Sequence, residues 1–145
     1  MPVQFSRGCP FDCEFVDDNF IGHRKHAKEL LQALIEWRRR VVPGMGFLTE
    51  ASVNLADHPE LVSLAVEAGF KTIFVGLETP SVEGLGECGK RQNRNRDLAE
   101  SVGVLRRAGL EVMGGFIVGF DSDRPDMAIE LSILGHHFRT VAGTL

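Results

Sequence analysis

The sequence predicts an α/β protein: an incomplete (β/α) barrel of parallel strands with helices on the outside. Three observations carry this. Apolar runs with strand character alternate with segments whose apolar residues recur every three or four positions. Two joins, "EAGFKTIFVG" and "RAGLEVMGGFIVG", repeat one order of helix, Ala-Gly stop, apolar strand and glycine. The run "KTIFVGLETP" is apolar without alternation, as a parallel strand covered on both faces requires. Right-handed βαβ units join such elements, and their functional groups collect at the carboxyl ends of the strands.

The elements follow in order. "MPVQFSR" reads as a first strand, with Val3 and Phe5 alternating against polar neighbours. "HRKHAKELLQALIEWRRRV" reads as a helix with one stripe of Ala27, Leu30, Leu31, Leu34, Trp37 and Val41, ended by Pro43 and Gly44. "MGFLTEASV" gives a strand to about Glu50. "LADHPELVSLAVEAGF" is a helix with Asp57 as candidate N-cap, Pro59 in its first turn and Gly69 at its stop. "KTIFVGLETP" is the next strand, "NRNRDLAESVGVLRRAGL" the next helix and "EVMGGFIVGF" the strand after it. "SDRPDMAIELSILGHHF" repeats the helix-start signals with Asp123 and Pro125.

At 145 residues the chain is expected to be one domain with its own core. Sixteen Lys and Arg stand against twenty Asp and Glu, a net charge of −4, which offers no basic field for nucleic acid or an anionic membrane. The run Arg38-Arg39-Arg40 closes a predicted helix, where it complements the negative end of the helix dipole. No apolar stretch approaches the length of a membrane span and no secretory signal stands at residues 1–15, so the expected location is cytoplasmic. Three cysteines in a chain of this size do not make a disulfide framework; in a reducing compartment a close pair more often serves metal or redox chemistry.

That pair is Cys9 and Cys13, in "RGCPFDCEF". Thiolates on one tight loop can wrap an iron–sulfur cluster. Zinc sites usually add a second pair of cysteines or histidines, and no second cysteine pair exists. His23 and His26 on a helix, and His136 with His137, read as exposed or packed histidines. Cys88, alone in "GECGKRQN", reads as a bystander. By spacing alone the pair is a weak signal, and a thiol switch is a further reading of it, although the spacing is not the CxxC of thioredoxin-like sites.

The stretch "QFSRGCPFDCEF" resembles the cluster loop of the radical S-adenosylmethionine (radical SAM) superfamily, and more narrowly the subgroup whose members carry a preceding cobalamin-binding domain. The resemblance continues through "VDDNFIG", "LTEASVNLADHPEL", "FVGLETP", "LGECGKRQN" and "GLEVMGGFIVGFDSD", in family order, to about residue 127. It implies a radical SAM core-like barrel. In that family three cysteines, spaced CxxxCxxC, hold a [4Fe-4S] cluster whose fourth iron chelates SAM; reductive cleavage then yields a 5'-deoxyadenosyl radical. Carried onto this chain, the resemblance makes Cys9 and Cys13 the first two metal ligands and Phe15 the aromatic residue near the adenine. It places Glu50 and Glu78 at strand ends that help bind SAM or substrate, with a rim carboxylate capping a nearby helix as the even alternative. It makes Ile117 to Gly119 the segment that flanks the adenine through its backbone.

The chain departs from the family pattern where the third cysteine belongs: that position is Val16. "VDDNF", which resembles the end of the family's second strand, follows "CEF" at once, as though the third cysteine, a helix and most of a strand were excised together, on the order of 30 residues. The expected organisation is a single shortened core-like domain over 1–145, with no cobalamin-binding domain before Met1; cobalamin is expected only in fuller relatives. Two thiolates are expected to assemble a cluster weakly or not at all, and hard carboxylates such as Asp12, Asp17 or Asp18 are poor substitutes. Two functions follow: a radical SAM protein with impaired activity on a small molecule of unknown identity, or a non-catalytic remnant that binds no cluster. Open sheet edges are expected to favour self-association.

Overall fold

The computed structural model describes residues 13–15, 19–41, 44–90, 93–127 and 139–144, the first and last of these by backbone alone. The predicted strand over 1–7, Cys9 and Val16 lie outside the described residues, as does most of the predicted helix after Asp123.

Five strands form one sheet in the order of the chain: β1 (Cys13–Phe15), β2 (Phe47–Glu50), β3 (Phe70–Glu78), β4 (Glu111–Val118) and β5 (Arg139–Thr144). Every neighbouring pair is parallel. A right-handed crossover that always adds its strand on the same side also leaves its helix on the same face. Sequential order therefore separates barrel-type sheets from doubly wound ones, in which the order reverses.

Burial follows from this. In β3, Ile73, Val75 and Leu77 are buried on the helix-covered face, while Thr72, Phe74, Gly76 and Glu78 alternate with them and are only half-buried. The second set, with Leu48 and Glu50 of β2 beside it in register, lines the opposite face, the one that is concave in a barrel-type sheet.

Helix α1 (Arg24–Val41) buries Ala27, Leu31, Leu34 and Ile35, the predicted stripe moved slightly around the helix. A 3-10 turn (Val53–Asp57) precedes α2 (Pro59–Ala68), which has Pro59 at its first position and ends on Gly69 at φ 101°. Asp57 is not the cap of α2. The N-cap is His58, without a side-chain bond, and the Asp57 carboxylate instead accepts from both terminal nitrogens of Arg96, at 2.9 and 2.5 Å. A bidentate guanidinium is a stronger donor than a backbone amide, so it takes the carboxylate.

Helix α3 (Val82–Glu87) is too short to show a period in the sequence; Ser81 caps it by accepting from the Gly84 amide. Helix α4 (Leu98–Arg107) begins five residues after the start of the predicted segment at Asn93, because Asp97 accepts from the Glu100 amide and fixes its first turn there. One core runs beneath the sheet, with Phe47, Val53, Ala68, Val75, Leu77 and Leu105 fully buried.

Candidate functional site at the carboxyl rim

All the strands run the same way, so their carboxyl ends share one rim. Glu78 ends β3 and has a left-handed backbone, φ 67°. Asn95 is the other non-glycine residue with positive φ among those described, and asparagine tolerates this conformation far better than glutamate. The cause is a break in register: Gly76 pairs with Gly115, but Glu78 pairs with Phe116, so β3 carries one extra residue there.

Two backbone carbonyls at the bulge accept from a side chain. Asn93, buried to 3% exposure, donates its Nδ2 to the carbonyl oxygens of Gly76 (3.2 Å) and Leu77 (3.0 Å). Two carbonyl acceptors fix which end of the amide is nitrogen. Its Oδ1 has no hydrogen-bond partner among the described residues.

The Glu78 carboxylate folds back over Gly76. A Cβ on Gly76 would lie 2.6 Å from Glu78 Oε1 and 3.3 Å from Lys90 Nζ. Lys90 Nζ sits 2.7 Å from the same oxygen, with the Glu78 side chain 13% exposed and that of Lys90 37%. Beside it, Gly115 has no side chain because the ring of Phe74 occupies that space, 2.6 Å from where a Cβ would stand. Gly76 and Gly115 are thus a floor across which an ion pair and an aromatic ring lie.

At the end of β4, Gly119 has φ 106°. The amides of Gly119 and Phe120 donate to Asp123 Oδ2, at 2.8 and 3.1 Å. Asp123 therefore closes the loop behind it, in place of the forward helix cap its sequence context suggests. The amides of Asp121 and Ser122 donate to the Glu87 carboxylate, at 3.2 Å each, which ties the loop to the end of α3.

Of the residues singled out in the sequence, Glu78 is level with Phe116 on the adjacent strand, one residue before Ile117 and three before Gly119. Glu50 ends β2 on the same concave face but is level with Phe74, four residues earlier on β3; its carbonyl accepts from the Phe20 amide at 2.9 Å. Phe15 pairs with Thr49 at the end of β1. Cys13 stands in a strand, where the sequence suggested a loop, and is level with Phe47 at the amino end of β2. Three residues of rise, about 10 Å, separate that level from the level of Glu50. Lys90 and Asn93 were quoted within "LGECGKRQN" but given no role; no local pattern shows that this segment folds back onto β3.

A [4Fe-4S] cluster of this family takes three thiolates from one loop. Here Val16 has no lone pair to offer, Cys13 begins a strand at the opposite end from the rim, and Cys88 caps α3 with its thiol 3.8 Å from the Leu85 carbonyl. No cluster of three or more His, Cys, Asp or Glu side chains suited to a metal occurs among the described residues. The described residues bring no such set of thiolates together, and Cys9 and Val16 lie outside them.

No family model matches the chain. It is 40% identical to an uncharacterized methyltransferase of Synechocystis and 35% identical to the hopanoid C-2 methylase of Rhodopseudomonas palustris. Each match covers 86% of this chain and 30% and 31% of those relatives, so the chain spans about a third of their length. Both alignments run over 161 positions, whereas 86% of 145 residues is about 125; about 36 positions of each relative face no residue here. That is the size of one strand–helix unit. In fold, the chain resembles TsrM from Kitasatospora setae, a radical SAM methyltransferase solved with tryptophan and a SAM analogue, at a TM-score of 0.72 and 20% identity over 92% of this chain and 26% of that one. TsrM has also been solved with cobalamin and a [4Fe-4S] cluster, and that structure gives 0.69.

Proposed function

The chain belongs to the radical SAM superfamily, in the subgroup of cobalamin-dependent methyltransferases, and on that premise we propose that it keeps the family's ligand-binding rim without autonomous radical chemistry. The observation that supports the rim is the Glu78 carboxylate, turned back over Gly76 at a level one residue before Ile117. The ligand proposed for it is SAM or a molecule of the same S-adenosyl class. In this reading Glu78 and Glu50 accept hydrogen bonds from polar groups of the ligand, while Ile117 and Phe15 pack against its adenine. The Gly119 backbone, fixed by Asp123, shapes the edge of that contact.

The relatives are methyltransferases, so methyl transfer to a small molecule is the reaction this core descends from. The cluster supplies the reducing electron in that family; in this chain two cysteines and Val16 do not make its ligand set. Cobalamin, present in one TsrM structure, is likewise assigned no residue in this chain. The same reading places the protein in the cytoplasm with no membrane partner. Among the described residues no helix is long and apolar enough to cross a bilayer. β1 and β5 stand at the two edges of the described sheet, and self-association would run through them.

Anaerobic reconstitution with iron and sulfide, followed by iron counting and absorbance, tests the chemical half. The expected result is less than one [4Fe-4S] equivalent per chain. Calorimetric titration with S-adenosylhomocysteine tests the binding half and is expected to show uptake. A full cluster with release of 5'-deoxyadenosine from SAM overturns the first half, and absence of uptake overturns the second.

A further inference from the structure

We propose that Asn93 and Lys90 are positioning residues for Glu78: Asn93 clamps the β3 bulge that turns this carboxylate onto the concave face, and Lys90 holds it there across Gly76. The proposal rests on the ligand-binding rim proposed above and deepens it by assigning the residues that set its acidic group.

Three independent features converge on one carboxylate. The first is backbone conformation. A glutamate at φ 67° is held against its own preference, so something nearby must over-determine it. The second is the clamp. At the bulge two consecutive carbonyls, those of Gly76 and Leu77, both accept from one buried amide group. Losing it would take a buried donor from both oxygens and leave that of Leu77 with the Thr79 amide, at 3.0 Å, which ties the bulge to Asn93. The third is the ion pair with Lys90, which crosses a glycine that any larger residue would close.

Both partners come from one short segment. Gly89, at φ 71°, reverses the chain after α3, and the amide of Asn93 donates to the Lys90 carbonyl at 3.1 Å. The segment therefore presents the clamp and the counter-charge together. A purely structural ion pair needs no bulge and no left-handed backbone. Their joint presence at a strand's carboxyl end is what a placed functional group requires.

Two measurements on the 145-residue chain test this. Backbone chemical shifts report the sign of φ at Glu78. The wild type is expected to show the left-handed signature, and Asn93→Ala to lose it while the rest of the spectrum is kept. An unchanged Glu78 signature in a folded Asn93→Ala protein overturns the clamp. The second measurement is a double-mutant cycle read by calorimetry with S-adenosylhomocysteine. Asn93→Ala is expected to weaken binding about tenfold beside Glu78, and less than about twofold in a Glu78→Gln background, because the residue acts through that carboxylate. Lys90→Arg is expected to stay within about threefold of wild type, whereas Lys90→Met falls with Glu78→Gln. Equal losses in both backgrounds mean that Asn93 supports only the fold, which overturns the positioning role. Where Asn93→Ala does not fold, Asn93→Ser takes its place in both measurements. If the wild type takes up no S-adenosylhomocysteine, the ligand reading above fails, and the chemical shifts alone decide whether Asn93 sets Glu78.

Discussion

Arg96 grips Asp57 with both terminal nitrogens, joining the turn before α4 to the turn before α2 across 39 residues of sequence. The same guanidinium donates to the Ser101 hydroxyl at 3.2 Å, so one side chain ties three segments. The hydrogen bond from Arg96 holds the Asp57 carboxyl below its ordinary range. A carboxyl lowered in the folded state contributes stability above its unfolded pKa, near 3.9, and that contribution fades as pH falls through the lower folded value. Urea unfolding between about pH 7 and about pH 3 should show an acid loss that Asp57→Asn flattens. The Asp57 side chain is 49% exposed, so the effect should stay at or below about 1 kcal/mol. A steeper loss in Asp57→Asn than in the parent would contradict this assignment.

Glu78 sets up a contrast between two substitutions. Glycine occupies positive φ without strain, whereas a β-branched residue does so poorly. Glu78→Gly should leave stability within about 1 kcal/mol of the parent, and Glu78→Val should fall about 2 kcal/mol below the glycine variant. Equal stability of the two variants would remove the strain argument.

The two floor glycines should separate binding from folding. In Gly76→Ala the new methyl meets the flexible ends of Glu78 and Lys90, which can swing away. Stability should change by less than about 1 kcal/mol, while uptake of S-adenosylhomocysteine falls about tenfold. In Gly115→Ala the methyl meets the Phe74 ring, and displacing a ring costs about 1–3 kcal/mol. Thermal unfolding of the two variants decides whether this order holds.

Gly69 carries two constraints at once. Its φ of 101° disfavours any side chain, and a Cβ there would lie 2.5 Å from Arg38 Nε, which itself donates to the Met45 carbonyl at 2.6 Å. Gly69→Ala should cost about 2 kcal/mol. Adding Arg38→Met should recover only the part due to collision, since the backbone part remains. Complete recovery in chemical denaturation would place the whole cost in the contact.

Restoring the absent thiol should not restore a cluster. Val16→Cys supplies a third sulfur by sequence, but Cys13 begins β1 level with Phe47, away from the rim. Iron content after anaerobic reconstitution should therefore stay below one cluster per chain. A full complement of iron in this variant would show that the cysteine stretch leaves the sheet when given its third ligand.

The strand and helix order was legible because parallel strands under helices must be apolar and helices must repeat near every 3.6 residues; β2, β3, β4 and α1 lie close to their expected places. Short elements were not. α3 spans six residues and shows no period, and β5, "RTVAGT", carries too few large apolar residues to stand out. Asp57 and Asp123 both carry helix-start signals, yet each serves a partner outside the helix expected to follow it: Arg96 for one, the Gly119 and Phe120 amides for the other. Of the rim, the acidic strand end was readable at Glu78. Its supports were hidden, because a bulge depends on pairing with β4 and Asn93 reaches β3 only through the tertiary fold.

The chain-ordered sheet has a last consequence for any reactive species formed on its hollow side. Helices shield one surface of the sheet, and the half-buried row Thr72, Phe74, Gly76 and Glu78 meets solvent on the other. Water and oxygen can reach that row, so a short-lived organic radical placed there would be quenched before it found a target. Seclusion has to come from outside the described residues.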